Sequence, residues 1–193
     1  MARRQKTSKP RPGRLRIVAG NWRSRLLDIA DVPGLRPTSA RIRETLFNWL
    51  GPRIHGARCL DLFAGTGALG LEALSRGAGS AVFVENSVPA VNALNANIET
   101  LGAEEAVVRQ MDALDYLNGE NVERFDLVFL DPPFATDMID EVCRLLAERE
   151  MLANDACIYI EQDRSKAKPR LPKGWEVLKN KTAGNVRYML VRQ

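Results

Sequence analysis

One passage constrains this chain more than any other: Cys59-Leu60-Asp61-Leu62-Phe63-Ala64-Gly65-Thr66-Gly67-Ala68-Leu69-Gly70-Leu71-Glu72-Ala73-Leu74. An apolar run carrying one acid breaks at two glycines. It resumes with helical spacing, Leu69, Ala73 and Leu74 on one side and Glu72 off that face. This reads as strand, tight turn, helix. Gly65, Gly67 and Gly70 have the spacing of a nucleotide-binding turn, where glycine permits a sharp bend and a close ligand approach. The bare pattern serves a plain strand–helix turn equally well. Two further residues sharpen it. Eighteen residues beyond Gly67, the run Ala81-Val82-Phe83-Val84 ends in Glu85, an acid placed to bind ribose hydroxyls. Asp61, four residues before Gly65, would repel a pyrophosphate but would accept a cationic ligand. S-adenosylmethionine, adenosine joined to a sulfonium and an amino acid, is such a ligand.

From Cys59 onward the chain alternates strands near 59–64, 80–85, 105–110, 125–130 and 156–162 with helices near 67–76, 88–101, 112–118 and 137–149. Ser87 and Thr136 are expected as N-caps and Gly102 as a C-cap. This rhythm predicts an α/β fold of Rossmann type, a doubly wound, mostly parallel sheet with ligands at the carboxyl ends of its strands. Strands over 175–178 and 186–191, joined by Ala183-Gly184-Asn185, close the sheet with an antiparallel hairpin. No apolar run approaches the ~20 residues that span a bilayer. Cys59, Cys143 and Cys157 are odd in number and lie in apolar runs, as expected of reduced core cysteines in a cytoplasmic protein. His55 sits in a connector and is read as a solvated loop residue, and no metal-ligand spacing is present.

Charge is split along the chain. Residues 1–58 hold 14 Lys/Arg against 3 Asp/Glu, whereas residues 59–193 hold 14 against 21. Such a split points to a nucleic-acid-binding arm on an acidic body. Residues 1–14 read as a disordered basic arm carrying Arg3, Arg4, Lys6, Lys9, Arg11 and Arg14; a solubilising tail is the plainer alternative. Residues 15–193 form one expected domain. Within it, residues 15–52 are a small N-terminal extension of β-hairpin and helix, and residues 57–193 are the cofactor-binding core. The hairpin turns at Gly20-Asn21 and presents Arg16, Arg23 and Arg25. Arg36 lies in the following loop. Thr38 or Ser39 caps a helix over 40–50 that buries Ile42, Leu46, Trp49 and Leu50; its Arg41 and Arg43 read as a solvated face or, beside the basic arm and hairpin, as an RNA-facing surface.

A second constellation follows the most apolar strand, Phe125–Leu130: Asp131-Pro132-Pro133-Phe134. Two prolines fix the backbone and remove two donors, leaving a rigid row of acceptors beside an aromatic ring. That suits an exocyclic amino group on a flat base, with its N–H groups held by Asp131 and the Pro132 carbonyl while Phe134 stacks on the ring. A simple strand-ending turn would account for the prolines but not for the acid or the aromatic.

Asp61, Gly65, Gly67, Glu85 and Asp131-Pro132-Pro133-Phe134, in this order, resemble the class I S-adenosylmethionine-dependent methyltransferases that act on base amino groups. Arg16–Arg23, Gly34–Thr38, Arg41–Leu50 and Phe63–Arg76 are similar to the bacterial RsmD family, which methylates N2 of one guanine in 16S ribosomal RNA. The resemblance covers the chain from about Leu15. It implies Asp131, Pro132, Pro133 and Phe134 as catalytic residues. For the cofactor it implies Asp61, Gly65 and Gly67 at the methionine end, Glu85 on the ribose, Asn86, Asp112 and Ala113 at the adenine, and Phe63 as a further contact. Met111 stands where many methyltransferases have glycine, and Asp112 reads equally as a helix cap. The implied partner is 16S ribosomal RNA within an assembled or partly assembled small subunit. The chain is expected to act as a monomer without a metal or membrane, in ribosome biogenesis. An adenine-N6 DNA methyltransferase, a nicotinamide-dependent dehydrogenase and a non-catalytic RNA-binding assembly protein remain as competing readings.

Overall fold

The computed structural model describes residues 13–32, 37–120, 123–133 and 136–193. Arg3, Arg4, Lys6, Lys9, Arg11, Arg36 and Phe134 lie outside these residues.

The elements follow the alternation. A hairpin of β1 (Arg14–Arg16) and β2 (Leu26–Asp28) precedes α1 (Ala40–Leu50) and a single 3-10 turn, Gly51–Ile54. Next come β3 (Arg58–Asp61), α2 (Ala68–Ser75), β4 (Ser80–Glu85), α3 (Val88–Leu101), β5 (Ala106–Gln110) and α4 (Ala113–Asn118). The chain continues through β6 (Phe125–Leu130), α5 (Ile139–Glu148), β7 (Leu152–Asp163), β8 (Glu176–Ala183) and β9 (Val186–Arg192). Seven strands form one sheet in the order β5-β4-β3-β6-β7-β9-β8. The first five are parallel to their neighbours, and β9 is antiparallel to both β7 and β8.

Alternate residues of the central strands feed two cores. Cys59, Phe83, Leu127, Phe129, Tyr159 and Leu190 pack with α1, α2 and α3. Leu60, Val82, Val128, Leu130, Ile158 and Val191 pack with α4 and α5. All three cysteines are buried and free, and His55 is exposed.

Three local expectations differ. Ser87 stands at the N-terminus of α3 but makes no capping side-chain bond. Thr136 does not cap α5, which begins only at Ile139; its N–H and hydroxyl both donate to the Pro133 carbonyl, at 2.9 and 2.8 Å, closing a turn instead. Trp49 is half-buried rather than core, stacked on Tyr188 with ring centroids 5.3 Å apart. Ser39 does cap α1, accepting the Ile42 N–H at 3.3 Å, and Gly102 ends α3 in the left-handed region.

The N-terminal extension is fastened through a buried acid. Glu72, fully buried in α2, accepts the N–H groups of Val18 and Ala19 at 2.9 and 3.0 Å. It also pairs with Arg43 and Arg76, each at 2.8 Å. Arg43 donates further to the carbonyls of Arg16 at 2.7 Å and Thr38 at 3.2 Å. This corrects one expectation: Arg43, only 2% exposed, does not face RNA, because with Arg76 it supplies the counter-charge that makes Glu72 tolerable in the core.

Candidate active site

The carboxyl ends of three adjacent parallel strands bring the acids together. Asp61 ends β3 and pairs in register with Phe83 of β4 and Phe129 of β6. Glu85 and Asp131 each lie two residues further along their own strands, so the side chains of all three lean to one end of the sheet. Asp61 is 2% exposed, and its Oδ2 accepts the Gly70 N–H at 3.0 Å. Burial pushes its pKa up to about 7; the Gly70 N–H opposes this, and the charges of Asp131 and Glu85 add to it.

The connecting turn is held tightly. Ala64 N–H donates to the Val84 carbonyl at 2.9 Å, and Gly67 N–H to the Ala64 carbonyl at 2.7 Å. Gly65 and Gly67 have φ of 52° and 73°. A Cβ on Gly67 would lie 2.4 Å from Leu94 Cδ1, and one on Gly70 would lie 2.2 Å from Phe83 Cε1. Gly67 therefore answers both to backbone sign and to α3, whereas Gly70 lets α2 sit down on β4. Phe63 is half-buried against the core of α4 and α5. Half-buried Glu85 bridges two loops, Oε2 accepting the Gly65 N–H at 2.8 Å and Oε1 the Ser87 N–H at 2.7 Å. Asn86 is exposed beside it. Asp112 caps α4 through the Leu114 N–H at 2.7 Å, and Ala113 is buried behind it.

Asp131 emerges from β6 half-buried, with Pro132 buried and Pro133 exposed. Its Oδ2 accepts the Thr38 hydroxyl at 3.1 Å. Burial raises the Asp131 pKa, and the Thr38 bond pulls it back. On the neighbouring strand the sequence reading missed Glu161. It is 5% exposed, accepts the Tyr159 hydroxyl at 2.7 Å, and is held well above the usual carboxylate range by burial and then by the Asp131 charge. The signal was present: Ile158-Tyr159-Ile160-Glu161 is an apolar strand ending in an acid, as at Glu85. Thr38 was noticed only as a cap; its hydroxyl instead serves Asp131. A cavity of about 780 Å³ opens beside Pro132 and Pro133, with Ile139, Asp140, Glu161 and Lys166 in its wall.

Of the arginines expected to meet RNA, Arg14, Arg16, Arg23, Arg25 and Arg41 are exposed on the hairpin and the start of α1. Arg14 lies 3.6 Å from Asp28 across the hairpin. No helix among the described residues is long and apolar enough to cross a membrane.

Acids gather at this end of the sheet beside a glycine turn. The two charges that act on buried Asp61 are themselves acidic, so this end of the sheet favours a ligand bearing positive charge and opposes a pyrophosphate. A family model described as conserved hypothetical protein 95 matches residues 15–192. Ribosomal RNA small subunit methyltransferase D of Haemophilus influenzae is 46% identical over 182 residues, which is 92% of this chain and 93% of that protein. Its namesake in Escherichia coli K12 is 44% identical over 181 residues, 94% and 91% of the two chains. The solved structure of the E. coli protein yhhF superposes with a TM-score of 0.88 at 41% identity, covering 94% of this chain and 98% of that one.

Proposed function

The chain belongs to the conserved hypothetical protein 95 family, and on that premise we propose that it transfers a methyl group from S-adenosylmethionine to the exocyclic N2 of a guanine in 16S ribosomal RNA. The observation that carries the reading is the convergence of Asp61, Glu85 and Asp131 on one end of the sheet around the Gly65–Gly67 turn. When bound, the cofactor supplies an electrophilic methyl group on a cationic sulfur. Asp61 and the Gly65–Gly67 turn hold its methionine end, and burial among acids makes that pocket selective for positive charge. Glu85 keeps lone pairs for the ribose hydroxyls after accepting two backbone N–H groups. Asn86 and Ala113 flank the adenine.

Guanine N2 is a poor nucleophile because its lone pair is delocalised into the ring. Asp131 and the Pro132 carbonyl accept its two N–H groups and turn the nitrogen lone pair out of the ring plane. Positioning of this kind supplies up to ~7–11 kcal/mol. As positive charge grows on nitrogen, the Asp131 carboxylate stabilises it. Thr38 keeps that carboxylate oriented and favours its ionised form. The base leaves its stack to reach the pocket, where Phe134 is assigned to replace part of the lost stacking. Arg14, Arg16, Arg23, Arg25 and Arg41 contact the surrounding phosphates. The substrate is a partly or fully assembled small subunit, and the enzyme acts as a monomer.

Labelled S-adenosylmethionine, offered with small subunits lacking the modification, naked 16S RNA and duplex DNA, tests this. N2-methylguanosine from the ribosomal sample is expected. N6-methyladenine from DNA, or no label in any substrate, would overturn it.

A further inference from the structure

The sequence placed basic character at the N-terminal end. The folded chain has a second basic region. Residues 164–193 contain nine Lys/Arg and one Asp/Glu, whereas residues 59–163 contain five and twenty. Lys166 and Arg170 pair with Asp137 and Asp140 at 2.7 and 2.9 Å, and Arg192 pairs with Glu176 at 2.6 Å. Among the described residues no salt bridge engages Lys168, Lys173, Lys179 or Lys181, and all four are exposed.

Strand register connects this region to the site. Leu130 of β6 pairs with Ile160 of β7, so Asp131 and Glu161 are the next step along both strands. Glu161 pairs with Tyr188 of β9, and Tyr188 with Lys181 of β8. Asp131, Glu161, Tyr188 and Lys181 thus form one lateral row across four strands. At ~4.8 Å per strand, Lys181 stands about 14 Å from Asp131. Trp49 of α1 stacks on Tyr188, and the Lys181 ammonium lies 5.7 Å from the Trp49 ring centre. The row is therefore on the α1 side of the sheet, the side from which Thr38 reaches Asp131. Lys179, two residues before Lys181, shares that face.

We propose that Lys179 and Lys181, at the outer end of this row, are a second wall of the RNA-docking surface, receiving the phosphates of the strand that flanks the target nucleotide. The inference rests on RNA being the substrate. Lysines on an edge strand also deter sheet-to-sheet pairing. That role accounts for lysines on β8 but not for their alignment with Asp131. About 14 Å is roughly the reach of two or three extended nucleotides, so a base held at Asp131 leaves its neighbours' phosphates near the lysines. The arginines of the N-terminal hairpin would hold the strand on its other side.

The test measures affinity for unmethylated small subunits over a range of salt, using chains silenced by Asp131→Asn. Cofactor affinity and thermal midpoint serve as folding controls. Lys179→Ala/Lys181→Ala is expected to weaken binding about tenfold and to flatten the salt slope by about 1.5, since each lost phosphate contact removes ~0.7–0.9. Lys179→Glu alone, which leaves the Lys181–Trp49 contact in place, should also weaken binding. Lys179→Arg/Lys181→Arg should bind like the parent. Unchanged affinity and slope in the alanine pair, or an arginine pair as weak as the alanine pair, would overturn the inference. Methylation by the wild-type chain on the same particles is scored separately. Absence of N2-methylguanosine would sink the reaction, while a flattened salt slope would still establish the surface.

Discussion

The Thr38 hydroxyl donates to Asp131 Oδ2 at 3.1 Å, across ninety-three positions of chain. Arg43 in turn holds the Thr38 carbonyl at 3.2 Å and Glu72 at 2.8 Å, so the orientation of the proposed catalytic acid is set from the buried core of α1 and α2. Thr38→Val should lower kcat about tenfold or more, the scale of a hydrogen bond to a charged group. KM for cofactor should be unchanged. Because the hydroxyl lowers the Asp131 pKa, its loss should move the acidic limb of the pH–rate profile to higher pH. Thr38→Ser should restore both the rate and the profile. A profile that stays in place in Thr38→Val would remove Thr38 from this role.

Asp61 carries the expected pH dependence of cofactor binding. Its ionised form attracts a cation and its protonated form does not, and its pKa is pushed up to about 7. Affinity for S-adenosylmethionine should therefore rise between pH 6 and pH 8, as read by calorimetry. Asp61→Asn should bind weakly and without that dependence.

The same burial shapes stability. Asp61, Asp131 and Glu161 all have folded-state pKa values above their ordinary ones, so the native chain binds more protons than the unfolded chain. Stability from these groups is complete below pH about 4 and is lost as pH rises through their folded values. Exposed acids with lowered pKa, such as Asp126 beside Arg58, act in the opposite sense at low pH. The thermal midpoint of the free chain should fall between pH 6 and pH 9. Glu161→Gln should flatten that fall. An equal fall in Glu161→Gln would assign it to other groups.

Breaking the Arg43–Glu72 pair leaves the buried Glu72 carboxylate with Arg76 as its remaining cation. Arg43→Met should cost up to about 3–5 kcal/mol in denaturant unfolding, the upper end belonging to a fully uncompensated charge. Arg43→Met/Glu72→Leu should recover part of that loss, although Val18, Ala19 and Arg76 also lose their acceptor. A double variant no better than Arg43→Met would show that these backbone bonds, and not the buried charge, dominate.

Much of this was legible in the chain. Short continuous apolar runs alternating with helical spacing gave the parallel core, and acids at strand ends gave Asp61, Glu85 and Asp131. Arg43 was misread because a helix-borne arginine among arginines looks solvated, and nothing local to it reveals that Glu72 lies opposite. Thr38 was read from its near neighbours, as a cap, while its partner lies in another strand. Glu161 was overlooked although it obeys the same rule as Glu85. The charge split was real but coarse: averaging residues 59–193 together hid a basic end behind an acidic middle. In each case a pairing between distant segments decided the outcome.

The strand order β7-β9-β8 gives the outer lysines an unusual dependency. β8 comes before β9 in the chain, yet among the described residues it pairs with the sheet only through β9. It is a lodger in a berth that a later segment must first put in place. Hydrogen exchange should find β8 opening by itself, while any opening of β9 releases β8 with it. The basic rim thus hangs on a single pairing, and a chain whose catalytic end is intact can still lack its outer grip.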